Sequence, residues 1–151
     1  MNRALRPLVA TTAIFILAYM AAILQFPNML STRVIGNLLT DNAFLGIAAV
    51  GMTFVIISGG IDLSVGAVIG FTTVLNAILI MWVGLHPFVA FAISLIIAAA
   101  FGAVMGAAIH YLKVPAFIVT LAGMFLARGG ASVLSPDSIG IKHDLYTSIS
   151  K

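Results

Sequence analysis

The side chains best placed for chemistry sit in one stretch, Ser58-Gly59-Gly60-Ile61-Asp62-Leu63-Ser64-Val65-Gly66. Asp62 is the one acid between Asp41 and Asp137, and serines stand on both sides of it. A carboxylate and hydroxyls on flexible backbone can exchange hydrogen bonds with a polar solute, or they can cap a helix. The capping reading makes Asp62 the N-cap of a following helix, with Leu63-Ser64-Val65-Gly66 supplying free N–H groups. The other reading puts Ser58, Gly59, Gly60, Asp62, Ser64 and Gly66 in a solute path or gate. The two are compatible, because a helix N-terminus inside a membrane also presents polar backbone to a solute.

The remaining candidates are fewer. Arg128 falls about fourteen residues into an apolar run, roughly 21 Å along a helix. It either snorkels to the far interface or pairs in a pathway. His86 and His110 lie at the ends of apolar runs and read as interfacial residues; no two histidines have metal-ligand spacing. A Ser58–His110 nucleophile pair lacks a nucleophile-elbow pattern around the serine. An aspartyl dyad fails too, since Asp41 and Asp62 would be about 31 Å apart on a helix. The chain has no cysteine, hence no disulfide, thiolate metal site or cysteine nucleophile. No Gly-x-x-x-x-Gly-Lys-Ser/Thr loop is present to hold ATP. Neither a catalytic constellation nor a metal site emerges, so no enzyme is expected.

The elements that position these residues are membrane helices. Hydrophobic residues make up 62% of the chain and charged ones 7%. A water-facing surface cannot be built from so few charges, since soluble domains carry about 25%. The formal net charge of +3 is too small and scattered for nucleic acid, and the expected surroundings are membrane lipid. Residues 42–61 and 63–112 contain no Asp, Glu, Lys or Arg, so the 58–66 stretch interrupts a hydrophobic path. Broken backbone at membrane depth is tolerated only where protein or a water-filled cavity surrounds it.

Five spans are expected, at about 8–25, 42–59, 63–84, 87–112 and 115–134, with a polar tail at 135–151, all in a single transmembrane domain over 1–151. The first run, behind Arg3 and Arg6, also has the outline of a signal peptide, but its length favours an uncleaved span. Between spans one and two, past Pro27, Leu30, Val34, Leu38 and Leu39 recur at helical spacing and predict a short interfacial helix. Leu85-His86-Pro87 and Lys113-Val114-Pro115 are turns. Arg3, Arg6 and Lys113 close to span ends place the N-terminus in the cytoplasm, with Arg33, His86 and the tail outside. For helix packing, Gly66-x-x-x-Gly70 and Gly102-x-x-x-Gly106 are the candidates, the latter within a strip of Ala98, Gly102, Gly106 and His110. Gly123, Ala127 and Ala131 form a similar strip.

Two segments carry a resemblance. Gly51-Met52-Thr53-Phe54-Val55-Ile56-Ile57 running into Ser58–Gly66 resembles the signature of permease subunits of bacterial ABC sugar importers of the ribose, xylose and galactofuranose type. Lys113-Val114-Pro115-Ala116-Phe117-Ile118-Val119-Thr120 through Met124, followed by Arg128-Gly129, matches a second segment of such permeases. Thr40-Asp41-Asn42-Ala43-Phe44-Leu45-Gly46 and the tail are most similar to the galactofuranose permeases.

The resemblance implies an all-α polytopic membrane protein that translocates a monosaccharide across the bacterial inner membrane. It implies three partners: a cytoplasmic ABC ATPase that holds ATP and Mg, a second permease subunit, and a periplasmic sugar-binding protein. The permease itself would bind no cofactor. Such permeases have about ten spans, so this chain corresponds to an N-terminal half. The alternative is a truncated, non-transporting membrane protein that scaffolds or regulates a larger complex. The sugar is not legible: Ser58, Ser64, Thr72, Thr73 and Asn76 are the hydroxyl and amide candidates.

Overall fold

A computed structural model describes residues 6–26 and 28–149; Arg3, Pro27 and Lys151 lie outside them. All regular structure among the described residues is helical. The chain forms two compact units, Met1–Ala49 and Val50–Lys151.

In the first unit, α1 (Arg6–Gln25) has 20 residues, about 30 Å of helix, which matches the hydrocarbon thickness of a bilayer. Its hydroxyls are hidden within the helix: Thr11 and Thr12 donate to the carbonyls of Pro7 and Leu8, each at 2.8 Å. The Tyr19 hydroxyl donates to the Met29 carbonyl at 3.1 Å and ties the following connector to α1. Ser31 then caps α2 (Thr32–Asp41) by accepting the Val34 N–H at 3.3 Å. This is the short amphipathic helix that the spacing of Leu30 to Leu39 predicts. At Asn42 the chain bends by 51° into α3 (Ala43–Ile57), which crosses from the first unit into the second.

The second unit continues with α4 (Val65–Met81), α5 (Pro87–Tyr111), α6 (Ala116–Leu134) and α7 (Asp144–Ile149). Helix α4 is the centre, packed against α6 most extensively and against α5. The interior is mostly small and partly polar: Ala77, Ala90, Ala127 and Gly123, with Ser64, Ser94 and Thr120, beside the larger Ile80 and Pro87. Large residues such as Phe88, Leu95, Ile96, Phe125 and Leu126 point outward. In water this arrangement would be inverted. In lipid it is expected, because helices there associate by close backbone approach rather than by burying bulk.

Span lengths depart from expectation. By length and composition α1, α5 and α6 qualify to cross a membrane, and α2 with α3 makes a fourth if the bent pair is one span. Helices α3 and α4 occupy 43–57 and 65–81, against the expected 42–59 and 63–84. The glycine break takes residues from both, and the turn at Trp82–Leu85, with Gly84 at φ 76°, ends α4 early. At 17 residues α4 is about 25 Å long, short of the roughly 20 residues a span needs.

The packing glycines also differ. A Cβ added at Gly66, Gly70, Gly102 or Gly106 would meet nothing within 4 Å. The close approaches are instead at Gly123, where a Cβ would overlap the Met105 thioether, and Gly130, where it would lie 3.1 Å from the Phe71 ring. The polar tail carries a short helix, α7, and returns to the α4–α5 turn. There the Lys142 N–H donates to Met81 Sδ at 3.3 Å, and the His143 ring stands edge-on to His86 at 5.9 Å. Tyr146 packs against Phe91 with ring centroids 6.4 Å apart, and burial pushes its phenol above the ordinary value.

Candidate functional site

The break between α3 and α4 is built by specific hydrogen bonds. Gly59 adopts φ 74°, a left-handed conformation that only glycine takes at low cost. Its N–H donates to the Ile56 carbonyl, and the Gly60 N–H donates back to Val55, both at 3.0 Å. This pair of bonds closes the end of α3 as a Schellman cap. The Ser58 hydroxyl adds a 2.7 Å bond to the Val55 carbonyl.

Asp62 then sets up α4, although not as its N-cap. That position belongs to Ser64, which makes no capping bond of its own. The Ser64 hydroxyl is committed backwards instead, donating to Asp62 Oδ1 at 2.6 Å, while the Ser64 N–H donates to the same oxygen at 2.7 Å. An Asp side chain that accepts the N–H two residues on makes an Asx turn. Its negative charge lies just before a helix N-terminus, where the helix dipole favours it. The start of α4 therefore moves from Leu63 to Val65.

One contact clips the break to α6. The buried Thr120 hydroxyl donates to Ala116 O at 2.8 Å and lies 3.4 Å from Ile61 O, a carbonyl in the non-helical segment. Around these groups opens a cavity of about 600 Å³. Ser58, Gly59, Gly60, Ile61 and Asp62 form one wall, and Thr120 borders it from α6. The α5 wall is kept low by Gly102 and Gly106. His110 and Lys113 stand at its end, Lys113 in a left-handed turn at φ 56°. The cavity thus combines one carboxylate, one ammonium, an imidazole, hydroxyls and helix-free backbone. Those groups can hold a polar, hydroxylated solute. Among the described residues no cluster of His, Cys, Asp or Glu could hold a metal.

The structure gathers Ser58, Gly59, Gly60 and Asp62 from the expected set. Ser64 is buried beneath them and acts through Asp62. Gly66 lies beyond, on an open face of α4. Arg128 is apart: it is exposed on α6, eight residues past Thr120, about 12 Å along the axis. Gly102 and Gly106, expected in packing, line the cavity. Thr120 was missed as a site residue, and its signal was its place in the Lys113–Met124 segment.

Comparison with known proteins identifies the family. The family model described as "Branched-chain amino acid transport system / permease component" matches residues 34–143. The inner membrane ABC transporter permease protein YjfF of Escherichia coli (strain K12) is 57% identical over 144 residues, 95% of this chain and 44% of that protein. The fructose import permease protein FruG of Bifidobacterium longum (strain NCC 2705) is 40% identical over 139 residues, 92% of this chain and 41% of that protein. The xylose transport system permease protein XylH of Escherichia coli (strain K12) is 47% identical over 100 residues, 66% of this chain and 25% of that protein. The chain thus spans less than half the length of these relatives. No solved structure matches it. Each of these relatives is named as a permease, none as an enzyme, and the broken, glycine-walled helix segment lies inside the region they share. The chain belongs to the family of transport-system permease components, and the relatives it resembles are permeases of an ABC transporter, of fructose import and of xylose transport.

Proposed function

We propose that this chain forms half of the membrane path of an ABC importer for a neutral monosaccharide. The observation that carries the reading is the cavity at the α3–α4 break. Its volume of about 600 Å³ lies within the roughly 300–1,000 Å³ of small-molecule sites. Its wall offers what a polyol needs: the Asp62 carboxylate, the Ser58 hydroxyl and backbone released from helical bonding. Glycines opposite leave room for a ring. A break between helices also lets the path open alternately to either side of the membrane.

The chemistry of energy coupling belongs elsewhere. A cytoplasmic ATPase subunit holds ATP and Mg and hydrolyses it. A second permease subunit completes the path, and a periplasmic sugar-binding protein delivers the substrate. The assembly sits in the inner membrane with the N-terminus in the cytoplasm. Lys113 and the break lie at one end of the α4–α6 unit, while His86 and the tail lie at the other. With the basic residues Arg6 and Lys113 inside, the break cavity faces the cytoplasmic half. The substrate is a pentose or hexose such as ribose, xylose, fructose or galactofuranose. Similarity to permeases along 95% of the chain does not favour a scaffold that transports nothing.

The test is uptake of labelled sugars by cells carrying the complete importer. Gly106→Leu fills the cavity from α5 and should lower uptake about tenfold or more, with the membrane level of the protein unchanged. Undiminished uptake by this variant would remove the cavity from the path.

A further inference from the structure

A further cavity lies between α4 and α5, about 320 Å³ in volume. Its wall is mostly apolar, with Val68, Phe91 and Leu95, and carries no charged side chain. Two of its atoms are buried without a hydrogen-bond partner in the protein, Asn76 Oδ1 and Ser94 Oγ. Ser94 is 3% exposed.

Neither orphan is forced by sequence. A hydroxyl in a membrane helix ordinarily returns to the carbonyl one turn back. Thr11, Thr12, Thr40, Thr72, Thr73 and Thr120 all do so. Ser94 has the same option toward Ala90 and does not take it. Asn76 donates its Nδ2 to Thr72 O at 2.9 Å, which fixes the amide and leaves its oxygen as the free end. The Thr72 hydroxyl proton is already used on Val68 O and Ile69 O, at 2.9 and 3.0 Å. The cavity therefore presents one acceptor and one hydroxyl that both donates and accepts. A neutral O–H group satisfies that pattern. A charged solute does not, because nothing in the wall compensates its desolvation.

Depth adds to this. Asn76 lies five residues before the end of α4 and Ser94 seven residues after the start of α5. Both are therefore about 8–10 Å in from the His86 end. The break cavity lies at the opposite end of α4. We infer that Asn76 and Ser94 form a second sugar-hydroxyl station, so that α4 carries one polar station toward each side of the membrane. The inference rests on the permease reading and adds a site to it.

The chain has no cysteine, so Ser94→Cys and Ile96→Cys can be compared in membranes holding the whole importer. Thiols react as thiolates and need water, so a small water-soluble methanethiosulfonate should label position 94 about tenfold faster than position 96, which faces outward. Millimolar D-ribose, D-xylose or D-fructose should slow labelling at 94. An inert cysteine at 94, or one that none of these sugars protects, overturns the assignment. In uptake, Ser94→Ala should raise the KM about tenfold, the value of one hydrogen bond, and Ser94→Thr should restore it. An unchanged KM in Ser94→Ala also overturns the station. Absence of uptake of all three sugars by the unmutated importer would refute the permease reading, whereas the labelling arm reads the station without transport.

Discussion

Removal of the Asp62 carboxylate should cost more stability than removal of its charge alone. Oδ1 accepts from the Ser64 N–H and the Ser64 hydroxyl, and Ser64 is 1% exposed. In Asp62→Ala the buried N–H loses its partner, at about 1–3 kcal/mol. The hydroxyl is not lost in the same way. Freed from Asp62, it can turn forward and cap the first turn of α4, which recovers up to about 1 kcal/mol. The net expectation for Asp62→Ala is a loss of about 2 kcal/mol. Asp62→Asn keeps an acceptor in the Asx turn. A charge-assisted bond is roughly twice a neutral one, so Asn should lose only about 1 kcal/mol. Thermal unfolding in detergent, followed by helix signal, orders the variants. Sugar uptake by the complete importer is measured on the same proteins. Asp62→Ala as stable as the unmutated chain, or Asn as damaging as Ala, would refute the hydrogen-bond account. Asn with near-normal stability and strongly reduced uptake would place the charge in the path; normal uptake by both variants would leave Asp62 with a structural role alone.

Gly123→Leu should destabilise the α5–α6 contact by about 1–3 kcal/mol, while Gly102→Leu should be tolerated in stability, since only Gly123 faces a close neighbour, Met105. In a double-mutant cycle Gly123→Ala with Met105→Ala should show coupling of about 0.5–3 kcal/mol; additive effects would mean that Met105 simply swings away. Cysteines placed at Lys113 and Lys142 should be labelled from opposite sides of the membrane, position 113 only after the inner membrane is permeabilised. Labelling of both from one side would break the assignment of the α6 ends.

The break was legible because its signal is local. Gly59 and Gly60 are adjacent, and a left-handed cap needs glycine at the first of them. The role of Asp62 was half legible. Its residue type predicts capping, but the position of the cap depends on whether the side chain reaches backward or forward. The Ser64 hydroxyl decides this by donating to Asp62 rather than capping α4. The close helix contacts within this chain were not legible for a different reason. Gly102-x-x-x-Gly106 and Gly123 with Ala127 have the same spacing, and spacing names a face without naming what the face meets. Met105 meets Gly123 across eighteen residues of chain, which no periodicity within α6 could disclose. Ser94 gave no signal at all: a lone serine in an apolar run reads as a residue that bonds its own helix.

The same distinction separates the glycines of α6 from those of α5. Gly123 of α6 meets the Met105 side chain of α5 at a closed contact. Gly102 and Gly106 line a cavity bordered by the α3–α4 break. Glycines that admit a neighbour and glycines that leave a cavity open cannot be sorted by residue type. Function enters through the groups opposite. Facing Gly123 there is a flexible thioether that fills space. Bordering the open glycines there are a carboxylate, a hydroxyl and a left-handed glycine cap that releases backbone from the helix. Filling the first face should cost stability, and filling the second should cost passage. That division lets the two roles be tested separately, at position 123 on α6 and at position 106 on α5.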